Sequence, residues 1–346
     1  MSDKESEIRQ AFRDQARFCR GLGSELTADI LDTVAEKIDR SSETGRRLLG
    51  WDGDPRSNAD NVTLRLAGGL HALARAEKDA ALTAAYRGDG PVGPAVEQAL
   101  IAHDDELVQW LDLPPQTNEV GRAAAVMAGL LVAADRYPLP IDILELGASA
   151  GLVLDLNRYR YDLGGVETGE PTSPLLLAPK WQGRAPPASK VDIITQSGVD
   201  RSPIYLSTPE AAERLVAYIW PDQPERIDRA EKAIRLARAF TPPVVAGEAA
   251  DWTEQRLAQP QAEGVLRILY HTIAFQYFPE EQKQRIRAAV EQAAAEASAE
   301  RPLGWLSLET NPETGAIELR LKLWPAGEGL HLANTHPHLN WVSWLL

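Results

Sequence analysis

The stretch IDILELGASAG, residues 141–151, decides the fold predicted for this chain. Residues 141–146 form a short apolar run that is typical of a buried strand in a parallel sheet. Gly147 lets the chain leave that strand in a tight turn, and Gly151 allows close packing where we expect a helix to begin. Free N–H groups at a helix start favour an anion or a polar ligand edge. The stretch therefore predicts either a ligand-binding turn between strand and helix or a tight turn that binds nothing.

The sequence after this turn alternates between strand-like and helix-like segments. A helix is predicted over 282–299, and the short apolar runs that predict strands lie at 191–195, 243–246, 265–270, 305–308, 317–323 and 341–345. Strands that alternate with helices and then follow one another directly predict a doubly wound α/β sheet with an antiparallel C-terminal edge. Within this part, residues 157–190 read as an insertion, interpreted as a hairpin plus a lid.

The sequence before residue 138 has a helical period. Helices are predicted over 62–76 and 92–111, and Asn118 is expected to cap a helix that runs to Tyr137. Residues 123–134 are apolar on nearly every side, which predicts a buried helix that docks the helical part onto the sheet. The sequence therefore predicts a helical N-terminal domain over 1–138 and a Rossmann-like domain over 139–346.

Composition limits the classes of function. The net charge of −14 disfavours a nucleic-acid partner, since an acidic surface repels phosphate backbones. Cys19 is the single cysteine, which excludes an intrachain disulfide and a thiolate zinc cluster. The charged N-terminal residues do not read as a secretory signal, and no apolar run is long enough for a membrane span, so a cytoplasmic protein without a membrane partner is expected. The sequence does not indicate an oligomeric state.

Two features separate the glycine turn from a dinucleotide fingerprint. Glu145 lies inside the strand, two residues before Gly147, and Ser149 stands where the middle glycine would be. A pyrophosphate needs the close approach that the middle glycine allows, whereas a nucleoside that carries methionine does not.

Residues 145–151 resemble the first motif of class I S-adenosylmethionine-dependent methyltransferases. The chain also resembles, over nearly its full length, a bacterial family of unknown function (domain of unknown function 2332). The stretches that carry this likeness are 145–151, 158–161, 220–223, 269–272 with 276–277, 319–321 with 324–325, 336–338 and 341–344. The resemblance implies a Rossmann-like class I methyltransferase sheet, and S-adenosylmethionine as cofactor, bound at Glu145, Gly147, Ala148, Ser149 and Gly151.

The same resemblance implies an acid at the end of the second strand that binds the ribose hydroxyls. Asp200, in the segment GVDRSP (198–203), is similar to that acid, because a carboxylate accepts both hydroxyl protons. The alternative is an aspartate in a surface turn before Pro203. More residues separate Gly147 from Asp200 than is usual in such folds, and the insertion at 157–190 accounts for them.

Three further candidates follow later strands. Asp251 is expected to receive the adenine amine and Trp252 to stack on the ring, unless the pair caps a helix and fills a core edge. His271 is the candidate general base, unless it is hydrogen-bonded at a strand end. The sequence favours no metal site, because His336 and His338 flank a proline and have no evident carboxylate neighbour.

Three functions compete at this point. The first is a methyltransferase that acts on an unknown small-molecule or peptide-like substrate. The second is a catalytically silent relative of that fold that works as a binding or scaffolding protein and uses its helical part as the partner surface. The third, a nicotinamide-dependent oxidoreductase, is disfavoured by Ser149 and by Glu145 in the first strand.

Overall fold

The computed structural model describes residues 3–116 and 118–346, which form two compact units. The first unit holds the chain before residue 118 together with 208–228, and the second holds 118–207 and 229–346. The division thus differs from the predicted boundary at 138/139. The buried helix before residue 138 packs on the sheet and belongs to the second unit, while residues 208–228 return to the helical unit.

The first unit is helical, as the 3.6-residue period predicts. Buried side chains such as Ile8, Phe12, Leu31, Leu66 and Leu70 form its core. The predicted helix over 92–111 is two helices that meet at His103. Its helices are α1 (Asp3–Gly21), α2 (Glu25–Lys37), α3 (Glu43–Leu49), α4 (Val62–Arg75), α5 (Ala80–Tyr86), α6 (Val92–Ala102), α7 (Asp104–Trp110) and α9 (Pro209–Ala217).

Polar contacts attach the distant segment 208–228 to this unit. The Tyr218 hydroxyl donates to the Leu113 carbonyl at 2.8 Å, and the Asp222 carboxylate accepts from the Leu26 N–H at 3.0 Å. Helix α10 (Pro224–Ala239) then leads the chain back to the second unit. None of the helices in the described part of the chain has the length and apolar character needed to cross a membrane.

The second unit is a mixed α/β sheet. Its helices, besides the end of α10, are α8 (Arg122–Arg136), α11 (Ala249–Ala258) and α12 (Glu280–Ala295). Its strands are β1 (Ile141–Leu146), β2 (Arg160–Leu163), β3 (Val166–Gly169), β4 (Leu176–Leu177), β5 (Lys180–Gln182), β6 (Ile193–Asp200), β7 (Val244–Ala246), β8 (Leu266–Thr272), β9 (Leu303–Thr310), β10 (Ile317–Trp324), β11 (Glu328–Thr335) and β12 (Trp341–Trp344).

Nine of these strands form the main sheet, in the order β5-β12-β11-β10-β9-β8-β1-β6-β7. The strands from β7 to β9 are parallel, and β9 to β12 form an antiparallel meander, so the predicted antiparallel C-terminal edge is confirmed. If the five parallel strands β1, β6, β7, β8 and β9 are numbered 1 to 5 along the chain, they lie side by side in the order 3-2-1-4-5. The chain therefore changes direction across the sheet between β1 and β8, the switch point where doubly wound folds bind ligands.

The two faces of this sheet are covered differently. Helix α8 packs on the face that carries Glu145, Tyr270 and Leu306, and a Cβ added to Gly129 of α8 would lie 2.5 Å from Leu306. Ile286 of α12 packs with Leu144 on the opposite face. We call these the α8 face and the α12 face.

The insertion contains a hairpin, as predicted, and also extends the main sheet. Strands β2 and β3 pair across Gly164 and Gly165, both with positive φ, and with β4 they form a separate three-stranded sheet. Strand β5 instead pairs in parallel with β12 at the far edge of the main sheet. The predicted lid is thus, in part, an edge strand.

Candidate functional site

The turn after β1 has the backbone geometry that its glycines predict. Gly147, Ser149 and Gly151 have φ of 72°, 53° and 77°. A Cβ on Gly151 would lie 2.4 Å from Pro242, so this position requires glycine. The prediction that a helix begins after Gly151 is wrong. A turn follows Gly151, and a short 3-10 helix then spans Leu156–Arg158. No helix N-terminus is therefore available to bind an anion at this turn.

The backbone N–H groups at the start of the turn have protein acceptors. Gly147 and Ala148 both donate to the Val199 carbonyl, at 2.9 and 3.0 Å, and Ser149 donates to the Asp200 carboxylate at 2.8 Å. The Ala148 methyl packs so closely on β6 that a Cβ on Gly198 would lie 2.7 Å away. The expectation that these N–H groups are free is wrong, since the neighbouring strand β6 uses them to fix the turn.

Asn118 completes the turn from a distance. Its side-chain oxygen accepts from the Leu152 N–H at 2.8 Å, while Gly151 donates to the Ala148 carbonyl at 2.7 Å. Asn118 therefore does not cap α8, which begins at Arg122 after Gly121. The Asn118 side-chain oxygen thus accepts a hydrogen bond from the turn after β1 and not from the first turn of α8.

Asp200, the candidate ribose-binding acid, lies beside the glycine turn. It is the last residue of β6, the strand next to β1, and is partly exposed. One carboxylate oxygen accepts from Ser149 N–H and the other from Ser202 N–H, each at 2.8 Å. A carboxylate accepts about four hydrogen bonds, so each oxygen keeps an acceptor position. The structure thus joins Asp200 to the glycine turn and leaves it able to accept two more hydrogens.

Glu145 lies below the turn and is only 1 % exposed. Its Oε2 and the hydroxyl of Tyr270, its neighbour on β8, are buried without a hydrogen-bond partner among the described residues. Burial raises the pKa of Glu145 well above its ordinary value, and the charges of Asp200 and Asp155 raise it further. The Tyr270 hydroxyl opposes this rise without completing a hydrogen bond. Burial and the neighbouring acids thus both disfavour the charged form of Glu145.

Asp155 is a second buried acid on the α8 face, and it was not among the predicted site residues. Its Oδ1 accepts from Gln196 at 3.2 Å, and its Oδ2 has no partner in the described part of the chain. Burial raises the pKa of Asp155 to about 6, against the opposing charge of Arg158. The available signal was a lone acid within the apolar run 152–156.

His271, the predicted base, lies on the α12 face with both ring nitrogens engaged. Nδ1 lies 2.7 Å from Glu309 Oε1, and Nε2 accepts from the Trp305 indole N–H at 3.0 Å. An indole N–H only donates, so Nε2 is the acceptor and Nδ1 carries the proton. His271 is 2 % exposed. The structure therefore does not support a general base here, and the alternative of a hydrogen-bonded histidine at a strand end describes the geometry.

Glu309 ties the loop after β8 to β9, and no sequence motif indicates this contact. Besides His271, it accepts from the backbone N–H groups of Ala274 and Phe275 at 3.0 Å and of Gln276 at 3.3 Å. Burial alone raises the pKa of Glu309, but the hydrogen bond from His271 and those from the backbone donors outweigh it and hold the pKa below its ordinary value. Glu309 is thus a partly exposed carboxylate that accepts four hydrogen bonds.

Asp251 and Trp252 are not brought to the turn. Asp251 is exposed and pairs with Arg285 of α12 at 2.7 Å, and Trp252 packs against the α12-face core with Arg256 over its ring at 5.9 Å. Within the described residues, no hydrogen bond, ion pair or ring contact links either one to residues 147–151. The alternative that the pair fills a helix and core edge fits these contacts better than an adenine site does.

The histidines near the C-terminus approach each other without forming a ligand set. The His336 and His338 rings lie 5.3 Å apart, centroid to centroid, in an edge-on arrangement. Among residues 3–116 and 118–346 there is no group of three or more His, Cys, Asp or Glu side chains that could hold a metal ion.

Comparison with known proteins places the chain in a family but not in a functional class. Neither a search of curated proteins nor a search of solved structures found a match. A family model described as "Uncharacterized protein conserved in bacteria (DUF2332)" matches residues 9–344. The match covers nearly the whole chain, and the protein therefore belongs to this bacterial family.

Proposed function

We propose that the protein is an S-adenosylmethionine-dependent methyltransferase that acts on an unknown small-molecule or peptide-like substrate. The observation that carries the proposal is the contact of Asp200 with Ser149: an acid at the end of β6 is fixed on the glycine turn of β1. This pair lies at the carboxyl ends of parallel strands in the order 3-2-1-4-5, where doubly wound folds bind nucleosides.

The residues present fit a cationic nucleoside better than a pyrophosphate. Asp200 keeps two acceptor positions for the two ribose hydroxyls. The Asp200 carboxylate accepts a hydrogen bond from the turn itself, and a carboxylate at that place favours the positive sulfonium and disfavours a phosphate. The turn also lacks the helix N-terminus that pyrophosphate sites use, which weakens the nicotinamide alternative.

When bound, the cofactor supplies a methyl group to an acceptor in an in-line displacement, so that positioning provides much of the acceleration. Asp200 orients the ribose, and Gly147 and Gly151 let the chain turn close to it. His271 has no part in this proposal as a base, because both of its nitrogens have partners. The exposed Tyr277, in the loop after β8, is available to contact an acceptor.

Calorimetric titration with S-adenosylmethionine and S-adenosylhomocysteine tests the proposal. Wild-type protein is expected to bind both in the micromolar range. Asp200→Ala should weaken binding by at least about tenfold, because a hydrogen bond to a charged group contributes about 1.5–3 kcal/mol. The matched control is Asp192→Ala, an exposed aspartate just before the opposite end of β6, which should bind like wild type. Absence of heat and of a thermal shift with wild-type protein would contradict the proposal.

The second candidate, a catalytically silent binding or scaffolding protein, is favoured by one set of contacts. The turn N–H groups and both His271 nitrogens already have protein partners. The variants Asp200→Ala and Gly147→Val separate the candidates in cells, since only a methyltransferase loses its cellular function with both substitutions while the fold persists.

A further inference from the structure

The loop that follows β8 is held by a single carboxylate. Glu309 receives three consecutive backbone N–H groups, from Ala274 to Gln276, and the Nδ1–H of His271. Trp305 fixes His271 from the other side of its ring. Every donor in this set needs an acceptor, and an ionised carboxylate offers acceptors only. An amide in the same place would turn an NH₂ group towards these donors.

The held conformation is not one that the loop adopts readily by itself. Ile273 has φ of 48°, in the left-handed region that a β-branched side chain avoids. Its N–H donates to the Leu308 carbonyl of β9 at 2.7 Å. A residue persists in such a conformation only when its surroundings fix it, and here the contacts with β9 do so.

The loop meets the glycine turn directly. A Cβ built on Gly147 would lie 2.6 Å from the Ala274 Cβ, and the Phe278 ring stands 3.9 Å away. Ala274 is also one of the residues whose N–H is held by Glu309. A continuous set of contacts therefore runs from β9 through the loop to the turn, and it crosses the switch point between β1 and β8.

We propose that Glu309 is a positioning residue that holds Ala274 against Gly147 and so shapes the crevice where the cofactor binds. The first half of this proposal, that Glu309 holds Ala274 against Gly147, is independent of the proposed function. The second half, that this contact shapes the cofactor crevice, rests on the proposed function. Among the described residues, the hydrogen bonds of Glu309 go to His271 and to the loop and not to residues 147–151, so it acts through the loop. His271 and Trp305 then serve to orient the carboxylate.

Hydrogen exchange of the full-length protein, without added cofactor, tests the first half. The amides of residues 274–276 should be protected in wild type, and Glu309→Gln should speed their exchange by at least about tenfold. Glu318→Gln is the matched control, because Glu318 is a largely buried glutamate on the adjacent strand β10 with its own partners, Asn311 and Arg320. Unchanged exchange of 274–276 in Glu309→Gln would overturn the proposal.

The contact between loop and turn has a separate test, which does not depend on the folding of Glu309→Gln. Gly147→Ala should weaken S-adenosylmethionine binding, since the new methyl meets Ala274. The double variant Gly147→Ala with Ala274→Gly should recover part of that loss, because it removes the opposing methyl. Equal losses in the single and double variants would overturn the contact.

Cofactor affinity links the two halves. Glu309→Gln should weaken S-adenosylmethionine binding by about tenfold, while Glu318→Gln binds like wild type. Wild-type affinity in a folded Glu309→Gln protein would overturn the link to the crevice. If wild-type protein binds no S-adenosylmethionine, the proposed function falls, and the exchange data alone then decide whether Glu309 positions the loop.

Discussion

The two faces of the main sheet treat buried acids in opposite ways. On the α12 face, the Asp142 carboxylate accepts hydrogen bonds from Arg267 Nε at 2.9 Å and from the Thr195 hydroxyl at 2.6 Å. The Glu309 carboxylate accepts from His271 and from three backbone N–H groups. On the α8 face, Glu145 and Asp155 each keep one oxygen without a partner among the described residues. The acids belong to one sheet unit and are all largely buried, so burial does not explain the difference.

The difference separates acids whose burial is offset by hydrogen bonds from acids whose burial is not. Transfer of a carboxylate from water into the protein carries a cost that partners offset. On the α12 face this cost is met by hydrogen bonds, and the pKa of Glu309 falls. On the α8 face the available partners do not offset it fully, and the pKa values of Glu145 and Asp155 rise. Uncompensated polar groups cluster at functional sites, and these two acids lie beside the glycine turn.

The largest expected effect comes from removal of an ion-pair partner on the α12 face. Asp142→Ala leaves the Arg267 guanidinium buried without its carboxylate, which should lower the free energy of unfolding by about 3–5 kcal/mol. Urea unfolding at neutral pH, followed by circular dichroism, measures the loss. The exposed Asp192→Ala should change stability by less than about 0.5 kcal/mol. A loss below about 1 kcal/mol for Asp142→Ala would show that this pair contributes little to the fold.

The predicted bounds of β1 and β6 show how far the strands can be predicted from the sequence. Strand β1 was predicted with its observed bounds, since the run 141–146 is apolar except for Asp142 and Glu145, and a buried parallel strand has that composition. Strand β6 was predicted to end at 195 but continues to Asp200. Its polar residues Thr195 and Gln196 hid it, because each has a buried partner that local pattern does not reveal.

Contacts that are distant in sequence account for the other differences. The apolar run 152–156 predicted a helix start, but the acceptor that fixes the chain there is Asn118, which belongs to the segment before α8. Strand β5 pairs with β12 only because the insertion reaches the far edge of the sheet. Strand β11 was missed, although residues 328–335 include the apolar positions Leu330 and Leu332.

The candidate site divides in the same way. The glycine turn and Asp200 could be singled out from the sequence, because each lies in a segment that resembles a known motif. The roles of His271, Asp251 and Trp252 were not predictable, since each depends on a partner from another element: Glu309, Arg285 and the α12-face core. Asp155 and Glu309 carry no motif, and only the tertiary structure shows what surrounds them.

The second prediction sharpens the comparison through pH. The pKa of Asp155 is raised from 3.8 to about 6, so between these values the folded state holds a proton that the unfolded state has lost. Wild-type stability should therefore fall as pH rises through this window, by up to about 3 kcal/mol from this group, because one pKa unit corresponds to about 1.36 kcal/mol. Asp155→Asn removes the titration and should gain stability relative to wild type from pH 4 to pH 7.5.

The control for this prediction is Glu309 on the α12 face. The pKa of Glu309 is lowered, so its contribution is present above the ordinary value and is lost only as pH falls below it. Glu309→Gln should therefore show a constant difference from wild type between pH 5 and pH 7.5. Urea unfolding at several pH values gives both curves. Parallel curves for wild type and Asp155→Asn would contradict the raised pKa.

The smallest expected effect concerns the hydroxyl beside Glu145. Tyr270 is fully buried, and its Oη has no hydrogen-bond partner among the described residues. Removal of an unsatisfied polar group relieves a desolvation cost, so Tyr270→Phe should leave stability within about 1 kcal/mol of wild type or raise it slightly. Tyr218→Phe is the matched comparison, because that hydroxyl donates to Leu113, and its loss should cost about 1 kcal/mol. If Tyr270→Phe instead costs more than Tyr218→Phe, the Tyr270 hydroxyl is engaged in the folded protein and does not belong to the unpaired groups of the α8 face.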